Sequence, residues 1–484
     1  MRTLSELTIR ELQEEVRKGN LAYQEILEFT IARIEAEREV NGYISLFLEE
    51  ARAEAKLADE KRKEIIHPLF GLPIAIKDNI AVKGKPLTCG SKILSPFLSP
   101  YDATVVERLK ATGCIILGKT NLDEFAMGSS NETSYFGPVR NPLAKERVAG
   151  GSSGGSAAVV KYGGAVASLG SDTGGSVRQP AAFCGLYGLK PTYGRVSRFG
   201  LVAYASSLDT IGPIGKSTED CALLLQTIAG YDPKDATSVN LPVEQYLPLT
   251  GNLKEIRIGI AEEFLPDDLD PRMKAVIEEA IRELGKEAKD VKRVKLPHLP
   301  YGVAAYYLIA TAEASSNLAR YDGIRYGFRI PAEEISLLYE RTRGEGFGEE
   351  VKRRIMLGTF ALSKGYYEEY YGVGVKVRGL IREDFSSAFD EVDVILGPTY
   401  PKPAFQLGEI QEPLEMYLSD IFTTPVNLAG LPAISVPAPR KIDNLPVGLQ
   451  IIGRPFAERI VLEVAYASER LLDDEKGRGG RYGI

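Results

Sequence analysis

The order of elements readable in this chain predicts an α/β fold, and three observations carry that reading. Short apolar runs bounded by turn residues, LFGLPIAIKD (69–78), CIILGK (114–119), VDVILGP (392–398), PAISVP (432–437) and GLQIIG (448–453), have the length and composition of buried strands. Stretches with helical apolar spacing, TVVERLKATG (104–113) and SAAVVKYGG (156–164) among them, alternate with these runs. Strand-like segments also recur on both sides of a more helical middle third, which favours one large core over separate domains.

Taken in order, Thr8 and Glu11 have capping-box spacing, and helical periodicity follows as far as Gly19-Asn20. A second helix is expected from Tyr23 to Glu37 and a third, charged one from Glu49 to Lys63, so residues 1–65 form a helical N-terminal layer of the same domain. Residues 66–472 form the α/β domain, with a helical elaboration over about 265–390. Beyond the first strands, NPLAKERVAG (141–150) reads as a charged loop, Ile256–Ile260 as a strand, and Pro271–Leu284, Ala304–Arg320 and Glu349–Tyr371 as helices. The end, DDEKGRGGRYGI (473–484), has little to bury and reads as a mobile or docking tail.

Composition narrows the function. A net charge of −7 argues against a broad nucleic-acid surface, so any RNA partner is expected to be held elsewhere. Four scattered cysteines and two histidines offer no metal-ligand spacing, and Cys114 and Cys184 sit in small or apolar runs as buried thiols do. No N-terminal apolar stretch or run of about 20 apolar residues is present, so a soluble, cytoplasmic protein without membrane contact is expected.

Two glycine-wrapped serine clusters, GGSSGGS (150–156) and SDTGGS (171–176), are the chemical signal. Glycine at this density lets backbone amides converge on one negative centre, an oxyanion or a phosphate. Two nearby motifs point elsewhere and are set aside. GCIILGKT (113–120) matches the phosphate-loop pattern, but its filler residues are those of a buried strand, which puts Lys119 at a strand end. Gly151-Ser152-Ser153-Gly154-Gly155 matches the nucleophile elbow with Ser153 as nucleophile, but a charged loop precedes it. Its base would have to be His298, and both His298 and His67 look like surface or capping residues.

Without histidine, the base can be a neutral lysine, and Lys77 at the end of Leu72-Pro-Ile-Ala-Ile-Lys is the candidate. An exposed lysine is only about 0.1% neutral near neutral pH, so burial must lower its pKa by roughly three units, about 4 kcal/mol. The ordinary alternative is an ion pair between Lys77 and Asp78 or another acid.

These segments together resemble the amidase signature family: GLPIAIKDN, GKTNLDEFAMGSS, GGSSGGSAA, SLGSDTGGSVRQPAAFCGLYGLKPT and GLQIIG fall in that family's order. The resemblance implies an amidase-signature fold, a central mixed β-sheet flanked by helices on both faces. It implies Ser176 as nucleophile and acyl-ester carrier, Ser152 as proton relay after a cis Gly151-Ser152 peptide, and Lys77 as general base, with the serines 24 positions apart. The amides of Thr173, Gly174, Gly175 and Ser176 would form the oxyanion hole.

In the second half, EASSNLARYDGIRYG, GEEVKRRIMLGTFALSKGYY and YLSDIFTTPVNLAGLPAISVP resemble the glutaminase subunits of tRNA-dependent amidotransferases. That resemblance implies glutamine as substrate, with Arg354 on its α-carboxylate, Asp420 on its ammonium, and Tyr306 or Tyr307 and Ser129 lining the pocket. An ordinary helix-surface arginine and a capping aspartate are the alternatives. No cofactor or metal is implied for this chain. ATP and Mg²⁺ would be used by a tRNA-binding B subunit with kinase and transamidase activity, in a heterotrimer completed by a small C subunit. The product would be Gln-tRNA(Gln) from Glu-tRNA(Gln), with Asn-tRNA(Asn) from Asp-tRNA(Asn) a further possibility. The competing reading is a stand-alone amidase for a small or aryl amide.

Overall fold

The computed structural model describes residues 3–62 and 67–477, the last six by backbone alone. The N-terminal layer contains α1 (Ile9–Lys18), α2 (Tyr23–Ala36) and α3 (Leu48–Glu60). Thr8 and Glu11 close the capping box on α1, and Gly19, at φ 78°, ends it in the left-handed conformation. The layer is not purely helical. Strand β1 (Tyr43–Leu46) lies between α2 and α3 and pairs with the main sheet, because its short YISL run finds an edge that periodicity alone cannot reveal.

The core elements follow in chain order as β2 (Pro73–Lys77), α4 (Thr104–Ala111), β3 (Ile115–Thr120), β4 (Arg140–Asn141), β5 (Ala144–Val148), α5 (Gly154–Tyr162), β6 (Ala167–Asp172), α6 (Arg178–Cys184), β7 (Tyr187–Lys190), β8 (Thr210–Gly215) and α7 (Thr218–Ile228). Then come β9 (Arg257–Ala261), α8 (Pro271–Gly285), β10 (Asp290–Val294), α9 (Gly302–Leu318), α10 (Ile335–Gly346), α11 (Glu349–Ala361) and α12 (Val373–Glu391). The chain closes with β11 (Val394–Pro398), α13 (Pro413–Leu418), α14 (Thr424–Ala429), β12 (Ala433–Pro437), β13 (Gly448–Gly453) and α15 (Glu458–Gly477).

Among the described residues, eleven strands make one sheet in the order β1-β3-β2-β6-β8-β7-β12-β13-β11-β9-β10. Pairing is parallel for β3-β2-β6 and β11-β9-β10 and antiparallel elsewhere, so the sheet is mixed. Alternation along the strands shows that both faces are covered. Ile74, Ile76 and Ile116 enter one core with residues of α4 and α7, whereas Ala75, Ile115 and Leu117 enter another with residues of α2, α5 and α6.

Several boundaries differ from the sequence expectation. NPLAKERVAG is a small β4-β5 hairpin, separate from the main sheet, and not a loop. The helix expected over Glu349–Tyr371 breaks after Ala361, where Gly365 takes φ 94°, and resumes as a π-helical turn, Glu368–Gly372, that leads into α12. The helical elaboration includes the edge strand β10. Helix α15 runs to Gly477, into the expected tail, and both residues 478–484 and Lys63 lie outside the described residues. The four cysteines are buried and free. Among the described residues no helix is long and apolar enough to cross a membrane.

The sheet's geometry places the site. Parallel β2 and β6 are neighbours, so their carboxyl ends, Lys77 and Ser171-Asp172, emerge at the same edge. Helices α9 and α11 pack so closely that a Cβ on Gly358 would stand 1.9 Å from the Thr311 carbonyl oxygen. Gly358→Ala should therefore lower stability by about 3 kcal/mol, read as a shift of the urea midpoint at unchanged m-value.

Candidate active site

Lys77 ends β2 fully buried, and its Nζ lies 2.7 Å from Ser152 Oγ, 2.8 Å from Ser153 Oγ and 3.0 Å from Ser171 Oγ. Burial pulls its pKa down to about 7, while the carboxylates of Asp123, Asp172 and Asp209 act in the opposite sense. Asp78 does not pair with Lys77. It pairs with Lys119, 2.9 Å away and equally buried, which disposes of the ordinary alternative for Lys77. Lys119 is thus a strand residue in β3, and the phosphate-loop match is a buried strand.

The three hydroxyls around Nζ are not equivalent. Ser153 Oγ donates to the Ser171 carbonyl (3.1 Å), and Ser171 Oγ accepts from Asn79 Nδ2 (2.9 Å). Ser152 Oγ has Lys77 as its only hydrogen-bond partner among the described residues. Ser153, the elbow mimic, is no nucleophile in this arrangement, yet it helps hold the amine, and the sequence signal for that is the doubled serine itself. The Gly151-Ser152 peptide is cis. A Cβ on Gly151 would lie 2.1 Å from Asp123 Oδ2 and under 3 Å from the Ser130 and Asn131 amides, so only glycine fits.

The turn after β6 carries Ser176, which is 8% exposed. It is shaped by Asp172, whose carboxylate accepts from the amides of Gly175 (2.8 Å) and Val177 (3.1 Å) and from Arg178 Nε and Nη2 (3.0 Å each). Burial would raise Asp172, but the Arg178 guanidinium overrides it and holds the group well below the usual carboxylate range. The Gly175 amide is therefore committed to Asp172, which corrects its assignment to the oxyanion hole. The amides of Thr173, Gly174 and Ser176 take part in none of the turn, loop or side-chain hydrogen bonds among the described residues. Ser153 N–H donates to the Ser176 carbonyl at 3.2 Å, bringing the two clusters side by side. Ser176 Oγ takes part in none of the side-chain hydrogen bonds there, so its link to Ser152 Oγ is not formed in this state. Gly175 has φ 129°, and a Cβ there would meet Thr423 Oγ1 at 2.4 Å.

Next to this turn, Arg354 of α11 is buried. Its Nη1 donates to Tyr204 Oη and its Nε to Glu350 Oε1, both at 2.7 Å, with Tyr307 and Tyr417 rings within cation–π range. Asp420 accepts from Ser129 Oγ at 2.7 Å, and burial pushes its pKa up to about 7. Tyr306 and Tyr307 divide their contacts. A Cβ on Gly174 would strike the Tyr306 ring, whereas Tyr307 stacks on Tyr417 with centroids 4.0 Å apart. Ser129, Glu350, Arg354 and Tyr417 border a cavity of ≈ 300 Å³. Tyr204, Tyr417 and Glu350 are additions that sequence reasoning missed: Tyr204 and Tyr417 are brought to Arg354 from other parts of the chain, whereas Glu350, one turn earlier on α11, was signalled by its i,i+4 spacing to Arg354. A larger hollow of ≈ 780 Å³, by α8 and β9-β10, holds none of these residues.

Neither histidine joins the site. His298 bonds Asp384 (2.9 Å) and precedes α9, and His67 accepts from the Leu69 amide. Among the described residues, no cluster of three or more His, Cys, Asp or Glu side chains is disposed to hold a metal.

The Amidase family model matches residues 25–462. The chain is 54% identical to the A subunit of glutamyl-tRNA(Gln) amidotransferase from Sulfurihydrogenibium sp. (strain YO3AOP1), over 97% of this chain and 98% of the relative. The crystal structure of the corresponding A subunit from Thermotoga maritima superposes with a TM-score of 0.80 at 45% identity, covering 97% of this chain and 96% of that one. A bacterial aryl acylamidase of the amidase signature family shares the fold at a TM-score of 0.83, 24% identity and 96% coverage of each chain.

The buried Asp172–Arg178 pair yields a test. Arg178→Met leaves a buried carboxylate unpaired and should cost about 3–5 kcal/mol in denaturant unfolding, whereas adding Asp172→Asn should restore part of the loss.

Proposed function

This chain belongs to the amidase family, and on that premise we propose that it is the glutamine-hydrolysing subunit of a tRNA-dependent amidotransferase. The observation that carries the chemistry is the buried Lys77 amine 2.7 Å from Ser152 Oγ, with a pKa brought to about 7. Neutral Lys77 accepts the Ser152 proton as Ser152 takes that of Ser176, whose Oγ attacks the side-chain amide carbon of glutamine. The developing oxyanion is held by the amides of Thr173, Gly174 and Ser176. The relay then returns the proton to the departing ammonia, and water releases glutamate from the acyl-serine.

Glutamine is the substrate the pocket suits best. Arg354 and Asp420 supply opposite charges for its α-carboxylate and α-ammonium, with Tyr307 and Ser129 beside them and Tyr306 backing the nucleophile's turn. An uncharged small or aryl amide would make no use of this buried Arg354 and Asp420, which weighs against the stand-alone amidase. The naming of its relatives as one component of a larger amidotransferase supports delivery of ammonia to a cytoplasmic partner assembly. There a B subunit would activate Glu-tRNA(Gln), or Asp-tRNA(Asn), with ATP and Mg²⁺, and a small C subunit would complete the heterotrimer. In this chain the β3 strand offers no phosphate cradle.

In the purified complex, Ser176→Ala, Ser152→Ala and Lys77→Ala should each lower glutaminase kcat by at least about 10³-fold. A fully active Lys77→Ala would refute the proposed base. Because Lys77 works deprotonated, kcat at saturating glutamine should fall about tenfold per pH unit below about pH 7. Asp420 must also be ionised to bind the ammonium, so kcat/KM should fall more steeply over the same range. Activity that stayed flat down to pH 5 would be inconsistent with a lysine base.

A further inference from the structure

Three consecutive residues, Asp123, Glu124 and Phe125, run between the serine relay and α11, and each is tied differently. Asp123 N–H donates to the Ser152 carbonyl at 3.3 Å, and its side chain lies against Gly151. Glu124 is buried. Its Oε2 accepts the Gly348 amide, the residue before α11, at 2.8 Å, while Oε1 accepts the Ser91 hydroxyl. Phe125 packs on Tyr321 and Phe347, with ring centroids 5.0 and 5.7 Å away. Phe125 and Ala126 are non-glycine residues held at φ 51° and 61°, a conformation that persists only where surrounding contacts impose it.

Glu124 therefore holds the start of α11, where a carboxylate also meets the positive end of the helix. Farther along α11, Gly358 is pressed against Thr311 of α9, and the Thr359 hydroxyl bonds that of Ser315 on α9 at 2.8 Å. Arg354 lies between the two ends, about 9 Å along the axis from Gly348 and about 6 Å from Gly358 at 1.5 Å per residue. A helix held at both ends keeps its direction. Freed at Gly348, its first turns would be located by little more than the Arg354–Tyr204 and Glu350–Tyr417 hydrogen bonds, so Arg354 would be held less firmly.

We propose that Glu124 is a positioning residue for substrate recognition: by anchoring α11 to the segment that also holds Ser152, it sets Arg354 at the correct place relative to the nucleophile. This rests on the reading of Arg354 as the partner of the glutamine carboxylate. Losing the anchor weakens glutamine recognition and leaves the chemistry of Ser176 intact.

The test compares two readouts in the purified full-length complex: KM and kcat for glutamine, and the rate at which phenylmethanesulfonyl fluoride, an uncharged reagent, sulfonylates Ser176, followed by intact mass. Glu124→Ala should raise KM about tenfold, with kcat and sulfonylation within about twofold of wild type. Glu124→Gln, whose amide oxygen can still accept from Gly348, should stay within about threefold in KM. Gly348→Ala approaches the same contact from the other side, since its Cβ would lie 2.4 Å from Glu124 Oε2. It should raise KM without adding to Glu124→Ala in the double variant. If Glu124→Ala also slows sulfonylation, Gly348→Ala decides by the same readouts. Unchanged KM in both variants, or additive effects, against an active wild type would overturn the proposal alone. A wild type that is sulfonylated but does not hydrolyse glutamine would overturn the pocket reading and this proposal with it.

Discussion

Asp172 and Arg178 are both fully buried, and either charge alone would be costly to remove from water, so each exists in this interior because the other does. Their pairing bends the chain after β6 into the turn that presents Ser176. The same guanidinium reaches Gln450 and Asn427, each at 2.5 Å, and the Thr423 carbonyl, while Thr423 Oγ1 bonds the Gly174 carbonyl at 2.6 Å. The nucleophile's turn from the first half of the chain is thereby clamped to β13 and α14 from the second. Asp420, three residues before Thr423, is placed by that same attachment.

The Asp172 charge also enters the balance at Lys77. Three buried carboxylates favour the ammonium and desolvation opposes them, and desolvation prevails because the amine meets hydroxyls and a carbonyl but no direct anionic partner. Asp78 could have supplied that partner. Its engagement with Lys119, one strand over, keeps the base near the pKa its task requires. A second buried lysine has thus a chemical consequence for the first.

Much of this was legible beforehand because glycine and serine patterns are local. The clusters at 150–156 and 171–176 marked the backbone that must approach closely, and the strand ending at Lys77 marked a lysine with a buried stem. The β1 edge strand, the β4-β5 hairpin and α10 were not legible. Their periodicity is short or mixed, and their conformation depends on the sheet edge or neighbouring helix they meet. Gly175 was misassigned for a similar reason, since a sequence of amides does not reveal that Asp172 curls back beneath it.

The residue order alone determined the type of chemistry: a histidine-poor chain with glycine-wrapped serines and a strand-end lysine has few other ways to activate a hydroxyl. Tertiary structure decided which hydroxyl can act. Ser152, Ser153 and Ser171 all reach Nζ, and only their other hydrogen bonds distinguish them. It also decided how Arg354, on a helix far along the chain, stands against Tyr204 and beside Asp420. Side-chain protons and long-range placement follow from packing between segments hundreds of residues apart, and local sequence carries no record of that packing.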